Sequence, residues 1–114
     1  MKVLVLEDDP LLQIDLAEVL EIMGHEVVGP FSEEDPAMRS CDAALPDAAF
    51  VDYNLGQDRN SSGFARRLFR DGVDFAFLTA HGRQHLPSDL HEVLVIEKPY
   101  TEADLEKFLG AVRD

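Results

Sequence analysis

Five short apolar runs, separated by longer stretches of mixed polarity, constrain the fold of this chain more than any other feature. The runs are VLVL (3–6), EVV (26–28), AAFV (48–51), FAFL (75–78) and VLVI (93–96). Four of them are apolar at consecutive positions, which is typical of strands covered on both faces in a parallel sheet. The second run is the most polar and therefore predicts a strand at the edge of the sheet.

The stretches between the runs have the spacing of amphipathic helices. In residues 10–23 the apolar positions form one helical stripe, with Pro10 at a favoured first position and Gly24 as a C-terminal stop. A second clear stripe lies in residues 101–112. Shorter helices are predicted at 33–44, 62–71 and 83–91, the last of them interrupted by a proline.

Strands that alternate with helices form a parallel sheet with helices on both faces, joined by right-handed crossovers. The length of 114 residues suits one domain. The sequence therefore predicts an α/β fold over residues 1–114, a doubly wound five-stranded parallel sheet. In such sheets the ligand crevice lies at the carboxyl ends of the strands.

The net charge of −13 limits the classes of partner. Binding to nucleic acid or to an anionic membrane is not expected, because both require basic residues. No apolar run approaches the roughly 18 residues of a membrane span, and no signal peptide is recognisable. The single cysteine, Cys41, has no partner for an internal disulfide, so we expect a cytoplasmic protein.

Polar side chains follow four of the five runs. They are Glu7 and Asp8 after the first run, Asp52 and Asn54 after the third, Thr79 and Ala80 after the fourth, and Lys98 after the fifth. Because the carboxyl ends of parallel strands meet at one edge, we expect these residues to surround a single crevice. Clustered carboxylates raise one another's pKa, and a hard divalent cation such as Mg²⁺ relieves their repulsion.

This combination of groups suits phosphoryl transfer. Asp52 could act as the nucleophile, since carboxylates form aspartyl-phosphate intermediates. The reaction needs mainly alignment and charge neutralisation, which Mg²⁺, Lys98 and the Thr79 hydroxyl would supply to the phosphoryl oxygens. The small Ala80 would leave room for the group to enter. Each residue alone is a weak signal, but their joint occurrence at four strand ends is specific.

The motifs VLVLEDDP, AAFVDYNL, FAFLTA and VIEKPY together resemble the receiver domains of bacterial two-component response regulators. The resemblance covers essentially the whole chain and implies the flavodoxin-like strand order 2-1-3-4-5. It also implies a role for each site residue. Asp52 would be the phosphoacceptor and a metal ligand. Asp8 would be the direct Mg²⁺ ligand, Glu7 would bind the metal through a water, and Asn54 would bind it through its backbone carbonyl. Thr79 would be the switch hydroxyl, and Lys98 would be the lysine that precedes a cis peptide bond to Pro99. Mn²⁺ is an alternative metal.

The resemblance further implies a phosphorelay. The phosphoryl donor would be a phosphohistidine on a sensor histidine kinase or a histidine phosphotransfer protein, and the output would be contact with a downstream target protein. We expect no output domain, a monomer or transient dimer, and no turnover of a separate substrate. Leu11 and Ile14, which lie off the apolar stripe of the first helix, are candidates for docking the donor.

Three features depart from the family pattern. Val95 occupies the position of the usual switch aromatic, the stretch between Thr79 and Lys98 is about one helical turn short, and Gly56 stands where proline is common. These features resemble stand-alone receivers found with alphaproteobacterial histidine kinases.

The three departures leave open a phosphorylation-independent binding module as an alternative function. A Mg²⁺-dependent phosphohydrolase is a further alternative, although Asn54 stands where such enzymes usually carry a second acid. For Asp9 we expect an N-cap rather than a metal ligand.

Overall fold

The computed structural model of the protein describes residues 1–112, which form five strands alternating with four α-helices. The strands are β1 (Lys2–Leu6), β2 (Glu26–Phe31), β3 (Ala48–Asp52), β4 (Asp74–Thr79) and β5 (Leu94–Glu97). The helices are α1 (Pro10–Ile22), α2 (Glu34–Ala43), α3 (Ser62–Arg70) and α4 (Glu102–Gly110). All strand pairs are parallel, in the order β2-β1-β3-β4-β5, which confirms the predicted fold and the edge position of β2. Positions 113 and 114 of the predicted domain lie outside the described residues.

Strand side chains alternate between two apolar layers, one on each face of the sheet. The layer beneath α2 and α3 includes Leu4, Leu6, Val51, Phe75 and Phe77. The layer beneath α1 and α4 includes Val3, Val5, Phe50, Leu78 and Ile96. Because both faces are covered, the polar groups that follow the strands are confined to the edges of the sheet.

The start of α1 shows how the chain turns away from the sheet. Asp9 is the N-cap, as expected, and its Oδ1 accepts a hydrogen bond of 2.9 Å from the backbone N–H of Leu11. Pro10 occupies the first helical position, where its missing N–H costs nothing. Leu16 and Leu20 are fully buried against the sheet, whereas Leu11 and Ile14 are exposed. The helix therefore presents an apolar outer surface besides its buried stripe.

Strand β2 is longer than the sequence predicted. The apolar run ends at residue 28, but the strand continues to Phe31, with a register shift opposite β1 between Leu4 and Leu6. The Gly29–Pro30 peptide bond is cis and Gly29 has a φ of +98°. A Cβ at Gly29 would lie 2.8 Å from the Phe31 nitrogen, so only glycine fits there. Proline is accommodated because β2 is an edge strand.

Between β4 and β5, two short 3₁₀ helices, Arg83–His85 and Ser88–Leu90, replace a regular helix. This agrees with the short or broken helix predicted for 83–91. We call residues 80–93 the β4–β5 segment. Leu86 and Leu90 anchor it in the core, and the Asp89 carboxylate accepts two hydrogen bonds, of 2.8 and 3.1 Å, from Arg66 of α3.

Among residues 1–112, no helix is long and apolar enough to cross a membrane.

Candidate functional site

A cavity of about 270 Å³ lies at the carboxyl ends of β1, β3, β4 and β5. It is lined by all seven polar or small residues that the sequence analysis placed there: Glu7, Asp8, Asp52, Asn54, Thr79, Ala80 and Lys98. Asp9, Leu12, Gly56 and His81 complete the lining. Leu12 was not expected at the site, because its place on the helical stripe indicates a core residue. The predicted residues thus converge on one site.

Val95 and Pro99, to which the resemblance drew attention, lie outside this cavity. Val95 is half-buried and packs against the apolar layer beneath α2 and α3. Pro99 is exposed and lines a neighbouring cavity, and the Lys98–Pro99 peptide bond is cis, as the resemblance implies.

Three carboxyl groups meet on one side of the cavity. Oxygen atoms of Glu7, Asp8 and Asp52 all lie within 4.8 Å of one another. Glu7 is fully buried, Asp52 is 4% exposed and Asp8 is half-buried. Such close negative charges repel one another strongly where water is scarce.

Lys98 partly compensates this charge. Its Nζ donates to Asp52 Oδ2 at 3.0 Å and to Glu7 Oε1 at 3.1 Å. Burial lowers the pKa of Lys98, but the neighbouring carboxylates outweigh burial, and the net effect raises the pKa above its ordinary value. The ammonium group therefore stays charged and holds both carboxyl groups in place.

Glu7 and Asp52 share one proton. Burial, a hydrogen bond with Glu7 and the charge of Glu7 raise the pKa of Asp52 to about 8, although Lys98 opposes them. Burial also acts to raise the pKa of Glu7, but hydrogen bonds from Asp52, the Asp9 backbone and Lys98 lower it overall. Near neutral pH and without a metal, the proton therefore resides on Asp52. A bound cation would have to displace it.

Backbone and hydroxyl contacts fix the remaining side chains. The Thr79 Oγ1 accepts a hydrogen bond of 3.1 Å from the His81 N–H, and the Asn54 N–H donates to Asp52 Oδ1 at 3.3 Å. The buried Ser61 donates to the Asp52 carbonyl oxygen at 2.8 Å. Sequence reasoning missed Ser61, because a serine in the loop after a strand carries no distinctive pattern.

The donor set fits a hard divalent cation. The converging atoms are carboxylate oxygens, and Mg²⁺ prefers oxygen ligands of which one or two carboxylates suffice, since it keeps several waters. Gly56 leaves space beside this cluster, because a Cβ at that position would lie 3.2 Å from Asp8 Oδ2. The cavity therefore has both the charge and the room for a hydrated ion.

Comparisons with known proteins agree with this architecture. The transcriptional regulatory protein PdtaR of Mycobacterium tuberculosis is 28% identical over 111 residues, an alignment that covers 91% of this chain and 52% of PdtaR. The chain spans about half the length of the curated relatives it matches. No family model matches the chain.

Two solved structures share the fold over nearly the whole chain. The solution structure of SdrG from Sphingomonas melonis Fr1 has a TM-score of 0.84 and 28% identity, covering 97% of this chain and 94% of SdrG. The signal receiver domain of a modulated diguanylate cyclase from Desulfovibrio desulfuricans G20 has a TM-score of 0.85 at 24% identity, covering 97% of this chain and 91% of that domain.

Proposed function

The chain resembles response-regulator receiver domains in sequence and in fold, and from this premise we propose that it accepts a phosphoryl group on Asp52 and signals by binding another protein. The observation that carries the proposal is the setting of Asp52. Its carboxylate lies at the end of β3, 3.0 Å from Lys98 Nζ and within a cluster of three carboxyl groups.

In the proposed step, an oxygen of the Asp52 carboxylate attacks the phosphorus of a phosphohistidine. The new O–P bond forms as the P–N bond breaks, and the electron pair leaves with the imidazole nitrogen, which takes up a proton. Lys98 would follow the developing negative charge from the carboxylate to a phosphoryl oxygen, and the Thr79 hydroxyl would donate to another. Ala80, which is exposed beside Thr79, leaves the approach open.

Asp8 and Asp52, with Glu7 through a water and the Asn54 carbonyl, would hold Mg²⁺ or Mn²⁺. When bound, the cation neutralises charge on the transferring group and replaces the shared proton. Support comes from the oxygen-only donor set and from the excess of negative charge over Lys98. Asp9 is engaged as the cap of α1 and is not proposed as a ligand.

We place the donor on the outer surface of α1. Leu11 and Ile14 are 77% and 58% exposed, and α1 begins at the mouth of the cavity. A sensor histidine kinase or a histidine phosphotransfer protein would bury these side chains while bringing its histidine to Asp52. The output partner is a protein rather than nucleic acid, because the net charge is −13. We propose a cytoplasmic protein without turnover of a separate substrate.

The test is phosphorylation by acetyl phosphate with Mg²⁺, followed by intact-mass spectrometry. We expect the mass of one phosphoryl group in the wild type and none in Asp52→Asn. Asp58→Asn, a change of the same kind in the exposed loop after β3, is the matched control and should behave as the wild type. An unmodified wild type would refute the proposal and favour a phosphorylation-independent binding module, which the presence of Val95 at the aromatic position also supports.

The metal assignment has its own test. Asp8→Asn should lower the affinity for Mg²⁺ by roughly tenfold or more, because it removes a charged ligand from the cluster. Isothermal titration calorimetry of the wild type and the variant measures the change. Equal affinities would exclude Asp8 as a ligand. Continuous hydrolysis of phosphate esters that disappears in Asp52→Asn would instead identify a phosphohydrolase.

A further inference from the structure

Tyr100 has an anomalous side chain. Within residues 1–112, its hydroxyl is a buried side-chain oxygen that lacks a hydrogen-bond partner. Native proteins rarely leave a buried O–H unpaired, and each such group calls for a specific explanation. The Tyr100 hydroxyl therefore calls for a hydrogen-bond partner in another state of the site or in a ligand.

Tyr100 lies next to the candidate site. A second cavity, of about 380 Å³, is lined by Leu12 and Asp15 of α1 and by Lys98, Pro99 and Tyr100. Leu12 and Lys98 also line the cavity that contains Asp52. The two cavities therefore share a wall, and Lys98 is part of it.

The charged groups that influence the Tyr100 phenol come from four parts of the fold. They are Glu7 after β1, Asp15 in α1, Asp52 in β3 and Lys98 after β5. Burial, followed by the charges of Glu7 and Asp15, raises the pKa of Tyr100 to about 12. The phenol keeps its proton near neutral pH, so it is available as a donor to a carboxylate.

Glu7 is the carboxylate that would need this donor. Its Oε2 accepts from the Asp9 N–H at 3.1 Å, and its Oε1 depends on Lys98 Nζ, also at 3.1 Å. Lys98 is shared with Asp52 and would turn toward a phosphoryl group on that residue. A phosphorylated Asp52 has no proton to donate, so the fully buried Glu7 would then lose both the Lys98 partner of Oε1 and its hydrogen bond from Asp52.

We propose that Tyr100 is a positioning residue whose hydroxyl takes over from Lys98 at Glu7, directly or through one water, when Lys98 turns toward Asp52. This inference rests on the proposed function, because phosphorylation is the event that moves Lys98. Movement of the phenol would carry the change from the site to the loop that joins β5 to α4. This movement would be linked to phosphorylation without the aromatic side chain that the family usually carries at position 95, where this chain has Val95.

Replacement of Lys98 by methionine, made together with Asp52→Ala so that Asp52 cannot donate to Glu7, tests the exchange without phosphorylation. The chain has two tyrosines and no tryptophan, so in a Tyr53→Phe background Tyr100 is the sole emitter. A phenol that donates to a carboxylate loses fluorescence, and we expect weaker Tyr100 emission after both replacements. Tyr100→Phe should also lower the folding equilibrium constant roughly threefold to tenfold in the background with both replacements, but not in the wild type. Tyr53→Phe is the matched control for loss of a phenol and should show no such dependence.

Unchanged emission together with equal effects of Tyr100→Phe in both backgrounds would overturn the proposal. If Lys98→Met does not fold, Lys98→Ala provides the same comparison, because alanine also lacks a donor to Glu7. Phosphorylation of the Tyr53→Phe protein should produce the same loss of Tyr100 emission. Asp52→Asn in this background should show no loss. A phosphorylated Tyr53→Phe protein whose emission is unchanged would also overturn the proposal. A protein that is not phosphorylated at all refutes the proposed function, while the lysine variants still decide whether Tyr100 can reach Glu7.

Discussion

Lys98 is the one lysine or arginine among the described residues that line the candidate site, and it faces the carboxyl groups of Glu7, Asp8 and Asp52. One ammonium group cannot neutralise three carboxylates, so the site reduces its charge by keeping a proton on Asp52. In the proposed metal site, a divalent cation would therefore compete with this proton for Asp52. This competition makes both the stability and the metal affinity of the protein depend on pH.

The first prediction concerns Asp52 in metal-free buffer. Its pKa is raised from 3.8 to about 8 in the folded protein, so the folded state binds a proton that the unfolded chain releases between those values. The associated stability is complete below about pH 4 and is lost as the pH rises toward about 8. Asp52→Asn removes the titrating group and therefore this loss. Relative to the wild type, its free energy of unfolding should rise by about 1–3 kcal/mol as the pH is raised from about 5 to about 8.

Urea unfolding with a chelator at both pH values measures this difference. Glu106→Gln, which removes an exposed carboxylate from α4, is the control, and the difference between its stability and that of the wild type should change little with pH. A difference between Asp52→Asn and the wild type that is the same at both pH values would show that Asp52 does not hold the proton.

The second prediction concerns Gly56. A Cβ at this position would lie 3.2 Å from Asp8 Oδ2, and Gly56 has a φ of +78°. Gly72 has a similar φ of +73°, but a Cβ there would have nothing within 4 Å. Alanine at either position should cost about 1 kcal/mol of stability, because both backbones are left-handed. Only Gly56→Ala should also weaken Mg²⁺ binding, as measured by calorimetry. Equal Mg²⁺ affinities of the two variants would contradict a close approach of Gly56 to a cation at the carboxyl cluster.

Among the elements, the strands were predicted well and the connections less well. A strand covered on both faces needs continuous apolar residues, so β1, β3 and β4 were recognisable, and with them the residues at their carboxyl ends. The extension of β2 through Gly29 and Pro30 was not recognisable, because this pair normally ends a strand. The pairing of Lys98 with Glu7 forms only when the whole sheet has assembled, and no local sequence pattern encodes it.

The β4–β5 segment leads to a prediction at the element scale. Leu90 is 2% exposed in the core, whereas the Arg66–Asp89 ion pair lies at the surface, with side chains about half exposed. Leu90→Ala should therefore cost about 2–4 kcal/mol of stability, and Arg66→Met less than about 1 kcal/mol. Arg70→Met, on the same helix but without this partner, is the control for loss of an arginine.

Urea denaturation gives the stabilities, and hydrogen exchange of the amides in residues 83–91 shows where the effect lies. Both Leu90→Ala and Arg66→Met should speed exchange in this segment, whereas Arg70→Met should not. A larger loss for Arg66→Met than for Leu90→Ala would mean that the ion pair, rather than burial, holds the segment.

The whole molecule is strongly acidic, with 23 acidic and 10 basic residues. The positive charge is uneven, since α3 carries three arginines and no acid, and all three arginines pair with Asp42, Asp71 or Asp89. The other acidic side chains repel one another through solvent, and this repulsion is reduced in the expanded, unfolded chain. Self-repulsion therefore lowers the stability of the native state at low ionic strength.

Added salt should stabilise the protein. Raising the salt concentration shortens the screening length, and we expect a gain on the order of 1 kcal/mol in the free energy of unfolding. Urea unfolding in sodium chloride and in tetramethylammonium chloride measures it. Equal gains indicate screening, a gain restricted to sodium indicates a bound cation, and a loss of stability would contradict the prediction.

The Lys98 contacts span 91 positions to Glu7 and 46 to Asp52. During synthesis on the ribosome, the three acids emerge well before the lysine that orders them. A nascent chain that ends before β5 would contain the acidic residues without their compensating charge or the last strand of the sheet. Under the proposed function, Asp52 would accept a phosphoryl group only after Lys98 has been synthesised, so a truncated product would carry no signal.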